Sequence, residues 1–258
     1  YNICRDAFCD PKIGERLIEM TKHVDEIVVV SDRMRKHYQK HLKYDKITVI
    51  PNYAPKSWLD RGYDAERVVQ NYTANKKKPR ILYAGSGTHF DVDNRVNQKD
   101  DFGEVVDYII RDLIGPKKYQ WIFLGGLPLK LRQFVNNGVE FHNWTAFTEY
   151  PELLKSIKAN VMIAPLANNT FNRAKANIKL TEGGSMGIPV IAQNLECYNS
   201  DGWKYLFDTT PEMFKHIDSI LQNESTYAEA SKYARDYADK HWLKDHLNEW
   251  ELLYTTEY

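Results

Sequence analysis

The chain has little of what marks several functional classes. It carries no net charge, with 35 basic and 35 acidic side chains, so its overall field makes no case for nucleic acid or an anionic membrane surface. No apolar run approaches the roughly 20 residues needed to span a bilayer, and no signal-peptide pattern is present. Cysteine is scarce: Cys4, Cys9 and Cys197 form neither a metal-ligand pair nor an even disulfide framework. Reduced thiols and a cytoplasmic location are therefore expected. No D-x-D motif follows a strand, because Asp91 and Asp93 match it only within a loop, and no metal site is expected. The dinucleotide fingerprint G-x-G-x-x-G is incomplete, since GSGTHF keeps only its first two glycines.

What is present is a mixed globular composition, 43% hydrophobic over 258 residues, enough for a sizeable core. Short apolar runs alternate with helical patterns. EIVVVS (26–31), ITVIPN (47–52), RILYAG (80–85), YQWIFLGG (119–126), VEFHNW (139–144), NVMIAPL (160–166) and IPVIA (188–192) predict strands. FGEVVDYIIRDLI, LPLKLRQFV, YPELLKSIK and residues 177–186 predict helices between them, and 211–258 is almost wholly helical. Residues 53–78, with the run NKKKPR, suggest a polar connection. This alternation specifies an α/β fold, a doubly wound parallel sheet covered on both faces. Three units are expected: 1–46 as the remnant of a preceding Rossmann-like domain, 47–210 as a complete Rossmann-like domain, and 211–258 as returning helices. The absence of an initial Met and the small first unit suggest a fragment.

Such sheets bind ligands at the carboxyl ends of their strands. The loop Gly85-Ser86-Gly87-Thr88 offers backbone N–H groups for close approach to a phosphate, with His89 and Asp91 placed to contact a substrate. Gly125 and Gly126 end a second strand. In FNRAKANIKLTEGGSMGIPVIA (171–192), Lys175 and Lys179 are four apart, Asn177 suits a helix N-cap, and Glu182 lies three residues beyond Lys179. Two ammonium groups at a positive helix end suit a diphosphate. A plain surface Lys–Glu pair is the structural alternative.

The tract from Ala164 to Tyr198 resembles the C-terminal domain of the GT-B glycosyltransferases, family 4 and its relatives. Glu182 followed by Gly187-Ile-Pro-Val-Ile-Ala matches the second acid of their E-x7-E element and its ending; the first acid would fall at Ala174 and is absent. A subgroup resembles PL-x-x-N-x-FN-x-x-K-x-N-x-K-x-x-E, which runs here from Pro165 to Glu182, and YAG-x-x-TH-x-D, here Tyr83 to Asp91. VDEIVVVSD with KITVIPNYAPKSW resembles the domain crossing of that fold. The resemblance implies a nucleotide-diphosphate sugar donor, UDP first and GDP or ADP as alternatives, with no cofactor or metal required and a retaining mechanism. It implies that Lys175 and Lys179 neutralise the diphosphate and Glu182 holds ribose hydroxyls. Residues 85–88 with Gly125 and Gly126 would contact the donor, Trp144 would stack on the base, and Asn172 belongs to the matched tract.

The acceptor stays open among glycan, lipid-linked sugar, protein and modified DNA base, as does peripheral membrane contact through an upstream domain. Sugar transfer by these residues alone is not expected. Two other classes compete: a non-catalytic nucleotide-sugar-binding subunit, favoured by Ala174, and an NAD(P)-linked oxidoreductase using the GSG turn.

Overall fold

The computed structural model describes residues 11–59, 63–90 and 100–255. Its centre is a six-stranded, all-parallel sheet of β3 (Arg80–Gly85), β4 (Gln120–Gly125), β5 (Val139–His142), β6 (Val161–Ala164), β7 (Val190–Gln193) and β8 (Leu206–Phe207), in the spatial order β5-β4-β3-β6-β7-β8. The strands are short, continuous apolar runs because both faces are covered. Ile81, Leu82, Val161 and Met162, on the paired central strands, are all fully buried. The chain order reverses between β3 and β6, so the loops after these two strands diverge and leave a crevice at their carboxyl ends.

Ahead of this sheet, α1 (Pro11–Met20), β1 (Ile27–Val29), α2 (Asp32–Leu42) and β2 (Ile47–Val49) form a unit with its own two-stranded parallel sheet. The sequence grouped ITVIPN with the large Rossmann-like domain, whereas the β2 ladder pairs with β1, Ile27 opposite Ile47. Ser31 caps α2, its side chain accepting from the Met34 amide.

Residues 53–78 are not a solvated connection. They hold the short α3 (Lys56–Leu59) and α4 (Ala65–Asn75), capped by Asp64. Val68 and Tyr72 are buried, four apart on one face of α4, and Tyr72 stacks on Tyr227 at a centroid distance of 4.8 Å. The period was present in the sequence but was masked by the charged residues on the other face. LPLKLRQFV forms a 3-10 helix (Leu129–Phe134) rather than an α-helix. Around the sheet pack α5 (Val105–Ile114), α6 (Tyr150–Ile157), α7 (Thr170–Arg173), α8 (Ile178–Ser185), α9 (Glu196–Asn199), α10 (Thr210–Ile220) and α11 (Glu224–Ala238).

Gly183 and Gly184 lie inside α8, within the helix expected over 177–186. A Cβ on Gly184 would collide with the Ala234 carbonyl and lie 2.9 Å from the Ala238 methyl. The glycine therefore permits α8 and α11 to touch backbone to backbone. After α11 the chain pairs with the strand-like crossing, the Ala54 amide donating to the His241 carbonyl and the Leu243 amide to the Ala54 carbonyl, both at 2.9 Å. The last helix, α12 (Leu247–Thr255), comes next, and Tyr53 stacks on His246 at 3.9 Å.

Tyr72→Ala tests the docking of α4. It is expected to cost about 3–4 kcal/mol, lowering the thermal midpoint by about 10 °C. A loss below about 0.5 kcal/mol would place α4 in solvent.

Candidate active site

Two adjoining hollows open at the carboxyl ends of the central strands. The smaller, about 230 Å³, is lined by the rings of Tyr53, Trp58, Trp144, Phe147 and Tyr150, with Gly85, Leu124, Ile178, Lys179 and Glu182 completing its wall. The larger, about 620 Å³, lies between the β1–α2–β2 unit and residues 173–177 and 196–201. Lys175, Ala176 and Asn177 border the larger hollow, Ile178 and Lys179 the smaller, and Tyr53 borders both. The tract that the sequence singled out is thus the ridge between them.

This divides the predicted lysine pair. Lys175 precedes α8 and Lys179 lies within it, so they do not share a helix face. Lys179 Nζ is 2.6 Å from Glu182 Oε2, and both side chains are mostly buried. The Tyr150 hydroxyl donates to the same Glu182 oxygen at 3.2 Å. Burial first, and the neighbouring Glu182 carboxylate second, push the Tyr150 phenol well above its ordinary value, so it remains a donor. Among the described residues, no hydrogen bond reaches the other Glu182 oxygen, Oε1, which has the lone pairs to accept one. The Lys–Glu pair foreseen as the structural alternative does form, but it forms on the wall of the hollow and not on an open surface.

Lys175 belongs to a different group, built around Asp101. The Asp101 side chain is 0% exposed. It accepts from His89 Nδ1 at 2.6 Å, from Asn172 Nδ2 at 2.6 Å and from the Ala167 amide at 3.0 Å, and Lys175 Nζ lies 3.8 Å away. Burial alone would raise its pKa; the His89 bond, the Lys175 charge and the two other hydrogen bonds outweigh that and hold it below its ordinary value of 3.8. Asp101 thereby joins the loop after β3 to the loop after β6. Asn172 is fully buried in this role, its amide also bonding the Ala167 carbonyl at 2.8 Å, and does not border either hollow.

Ser86 lies at the N-cap of the 3-10 turn Gly87–His89, which includes Thr88, and makes no side-chain capping bond. Gly87 has open space where a Cβ would stand, so a ligand could approach it. Gly125 and Gly126 are required by packing instead. Gly125 sits at φ +91°, with its Cβ position 2.7 Å from the Gly85 carbonyl oxygen and 3.2 Å from the Trp144 ring; that of Gly126 lies 2.8 Å from the Ser86 backbone. Trp144 is not a core aromatic: it is 62% exposed at the rim of the smaller hollow. Asn177 occupies the N-cap position without a capping bond; its amide donates to Asp201 Oδ2 at 2.7 Å and to the Tyr237 hydroxyl at 2.6 Å. Asp91 lies outside the described residues. Ala174 is buried, and its carbonyl accepts from the Ser31 hydroxyl at 2.8 Å. No group of three or more His, Cys, Asp and Glu side chains suited to a metal occurs among the described residues.

Sequence reasoning missed Asp101, Trp58 and Tyr150. Asp101 stands in DDFGEVV, where nothing separates it from the acids beside it. Trp58 is buried on the wall of the smaller hollow, and its indole N–H has no partner among the described residues.

Asp101→Asn should lower stability by about 2 kcal/mol at neutral pH, because it removes a charged acceptor from a buried group. A depressed folded pKa contributes stability above the ordinary value of 3.8 and loses it as pH falls through the folded value. Urea denaturation should therefore show a constant gap between wild type and variant from about pH 8 to pH 5, closing below about pH 4. A gap independent of pH would remove the charge from the explanation.

No protein-family model and no curated protein matches the chain by sequence. Solved structures do match it in three dimensions. Anabaena Alr3699/HepE in complex with UDP-glucose aligns with a TM-score of 0.67 at 11% identity, over 95% of this chain and 68% of that one. A mutant of S. aureus TarM in complex with Fondaparinux, alpha-GlcNAc-glycerol and UDP aligns at 0.61 and 13%, over 95% of this chain and 47% of that one. WaaG, a glycosyltransferase involved in lipopolysaccharide biosynthesis, aligns at 0.55 and 19%, over 83% of this chain and 58% of that one. This chain spans 46% of a second TarM structure and 63% of a sucrose-phosphate synthase, less than two thirds of either. These neighbours are GT-B glycosyltransferases, some holding UDP or UDP-glucose. The chain has the α/β fold of the GT-B glycosyltransferases.

Proposed function

We propose that this chain carries the donor site of a glycosyltransferase that uses a nucleotide-diphosphate sugar, with UDP as the first choice of nucleotide, no metal requirement and retention of anomeric configuration. The observation that carries the proposal is the ridge of residues 175–179, which sets a hollow fit for a nucleoside beside a wider, polar one. In the smaller hollow, aromatic rings suit a base and the Glu182 carboxylate suits ribose hydroxyls. The indole N–H of Trp58, without a partner among the described residues, is a donor for a base carbonyl. The UDP and UDP-glucose of the structural neighbours favour the same assignment.

The diphosphate would then cross the ridge between Lys179 and Lys175. Its charge grows as the glycosidic bond breaks, so fixed ammonium groups favour the transition state over the ground state. Asp101 holds Lys175 and His89 at the crevice without itself reaching solvent, which limits reorganisation when charge develops. The open approach at Gly87 leaves room for the sugar or a phosphate oxygen.

Ala174 supports a second reading, a nucleotide-sugar-binding subunit without catalysis. The position of the first acid holds a buried methyl group, and the nearby carboxylate, Asp101, is itself sealed from solvent. Incubation of the full-length protein with labelled donor separates the two: release or transfer of sugar supports the enzyme, and binding without turnover supports the subunit.

Titration with UDP, GDP, ADP and NAD tests the donor class, with UDP expected to bind and quench tryptophan fluorescence; binding of NAD alone would sink the proposal. Trp144→Ala should weaken UDP about tenfold, one lost stacking contact of roughly 1–2 kcal/mol, with the thermal midpoint moving by less than about 2 °C since the ring is exposed. Lys175→Ala should weaken UDP by about tenfold through loss of a charge-assisted contact. Unchanged UDP affinity in both variants would return these residues to a packing role.

A further inference from the structure

The larger hollow has a charge pattern that the donor site uses only through Lys175. Arg33 and Lys36 come from α2, Arg173 from α7, Lys175 from the ridge and Lys240 from the turn after α11. Three acids face them, Asp32, Glu196 and Asp201, so the lining carries an excess of two positive charges before its histidines are counted (five minus three), and of one once Lys175 is given to the donor's diphosphate.

The acids are already engaged. Glu196 Oε1 accepts from both Arg33 and Arg173 at 2.8 Å, one carboxylate for two guanidinium groups brought together from separate parts of the chain. Asp201 accepts from Asn177 at 2.7 Å and from Tyr237 at 2.8 Å. Asp32 is paired with Arg35 at 2.5 Å, outside the lining. Lys36 and Lys240 have no ion-pair partner among the described residues. His246 is already paired with Glu249 at 2.9 Å. Burial lowers its pKa, but the Lys240 carbonyl and Glu249 outweigh that and raise it.

Resting on the donor reading above, we infer that the larger hollow receives an acceptor bearing an oxyanion, a sugar or polyol phosphate, held by Arg33, Lys36, Arg173 and Lys240 while its hydroxyl faces the donor across the ridge. Two guanidinium groups sharing one carboxylate retain donors in a fork geometry suited to phosphate. Arg33 and Lys36 stand on the β1–α2–β2 unit and line the larger hollow, and neither borders the smaller, base-sized one. Lys175, at the ridge, is the one of these cations assigned to the leaving diphosphate. A neutral glycan would leave the cationic lining without a counterpart, and that mismatch is what selects the charged acceptor.

The test uses the full 258-residue chain saturated with UDP and follows the side-chain Nε–Hε signals of Arg33 and Arg173 by NMR. The probes are glycerol 3-phosphate, dodecyl phosphate below its micelle concentration, and glycerol as the neutral control. Both phosphates are expected to shift the two arginine signals, with glycerol silent. Equal affinities would identify the phosphate group as the recognised feature, and tighter dodecyl phosphate binding would identify a lipid-linked phosphate. Arg33→Gln with Lys36→Gln, both exposed on α2, should weaken either phosphate about tenfold or more, with UDP affinity moving less than about twofold. The inference is overturned if no phosphate shifts the arginines. It is equally overturned if UDP alone shifts them and then blocks phosphate, since the cations would then serve the donor. Failure of UDP to bind at all would sink the donor reading by itself, and the phosphate titration of the free chain would still decide the charge of the hollow's ligand.

Discussion

One buried carboxylate holds the two halves of the crevice together. Asp101 has no contact with water, so its charge is sustained only by the donors around it, and those donors come from different loops. His89 belongs to the turn after β3, whereas Ala167, Asn172 and Lys175 come after β6. At a topological switch point the sheet itself separates these loops, and no ladder hydrogen bond joins them. A buried, multiply bonded charge is strong enough to do so, because leaving any of its partners unsatisfied carries a penalty of about 1–3 kcal/mol.

The rest of the site depends on that anchor. With residues 167–175 pinned, the chain enters α8 along the ridge, placing Lys175 on one side and the Lys179–Glu182 pair on the other. The position of α8 is fixed from behind by its glycine contact with α11. Its front is fixed by the bond from Tyr150 to Glu182. The β1–α2–β2 unit is tied to the same ridge by Ser31 and by the Arg33–Glu196–Arg173 bridge. The crossing at Ala54 is clamped by the returning tail. These last links are polar and partly exposed, so they are weaker than the packed sheet.

Much of this was legible before any coordinates. The strands announced themselves as apolar runs of four to six residues, and their alternation with helices specified a parallel α/β sheet. The tract from Pro165 to Glu182 pointed to the crevice because a lysine-rich segment came directly after a buried strand. The rest was hidden for identifiable reasons. α4 was obscured because two buried residues, Val68 and Tyr72, give a faint signal among charged neighbours. Asp101 was invisible because its importance lies entirely in what surrounds it.

The sequence alone determined most strands of the central sheet and most helices between them, the class of fold and the tract on which the chemistry concentrates, since these depend on local periodicity and residue type. Tertiary structure decided which side chains share a cavity. Lys175 and Lys179, four residues apart, look like partners along the chain, yet a short break before α8 turns them toward different hollows. Asp101 and Asn172, 71 residues apart, share a hydrogen bond of 2.6 Å. Burial and charge pairing depend on distances through space, and those distances were set only when the sheet brought the ends of β3 and β6 side by side.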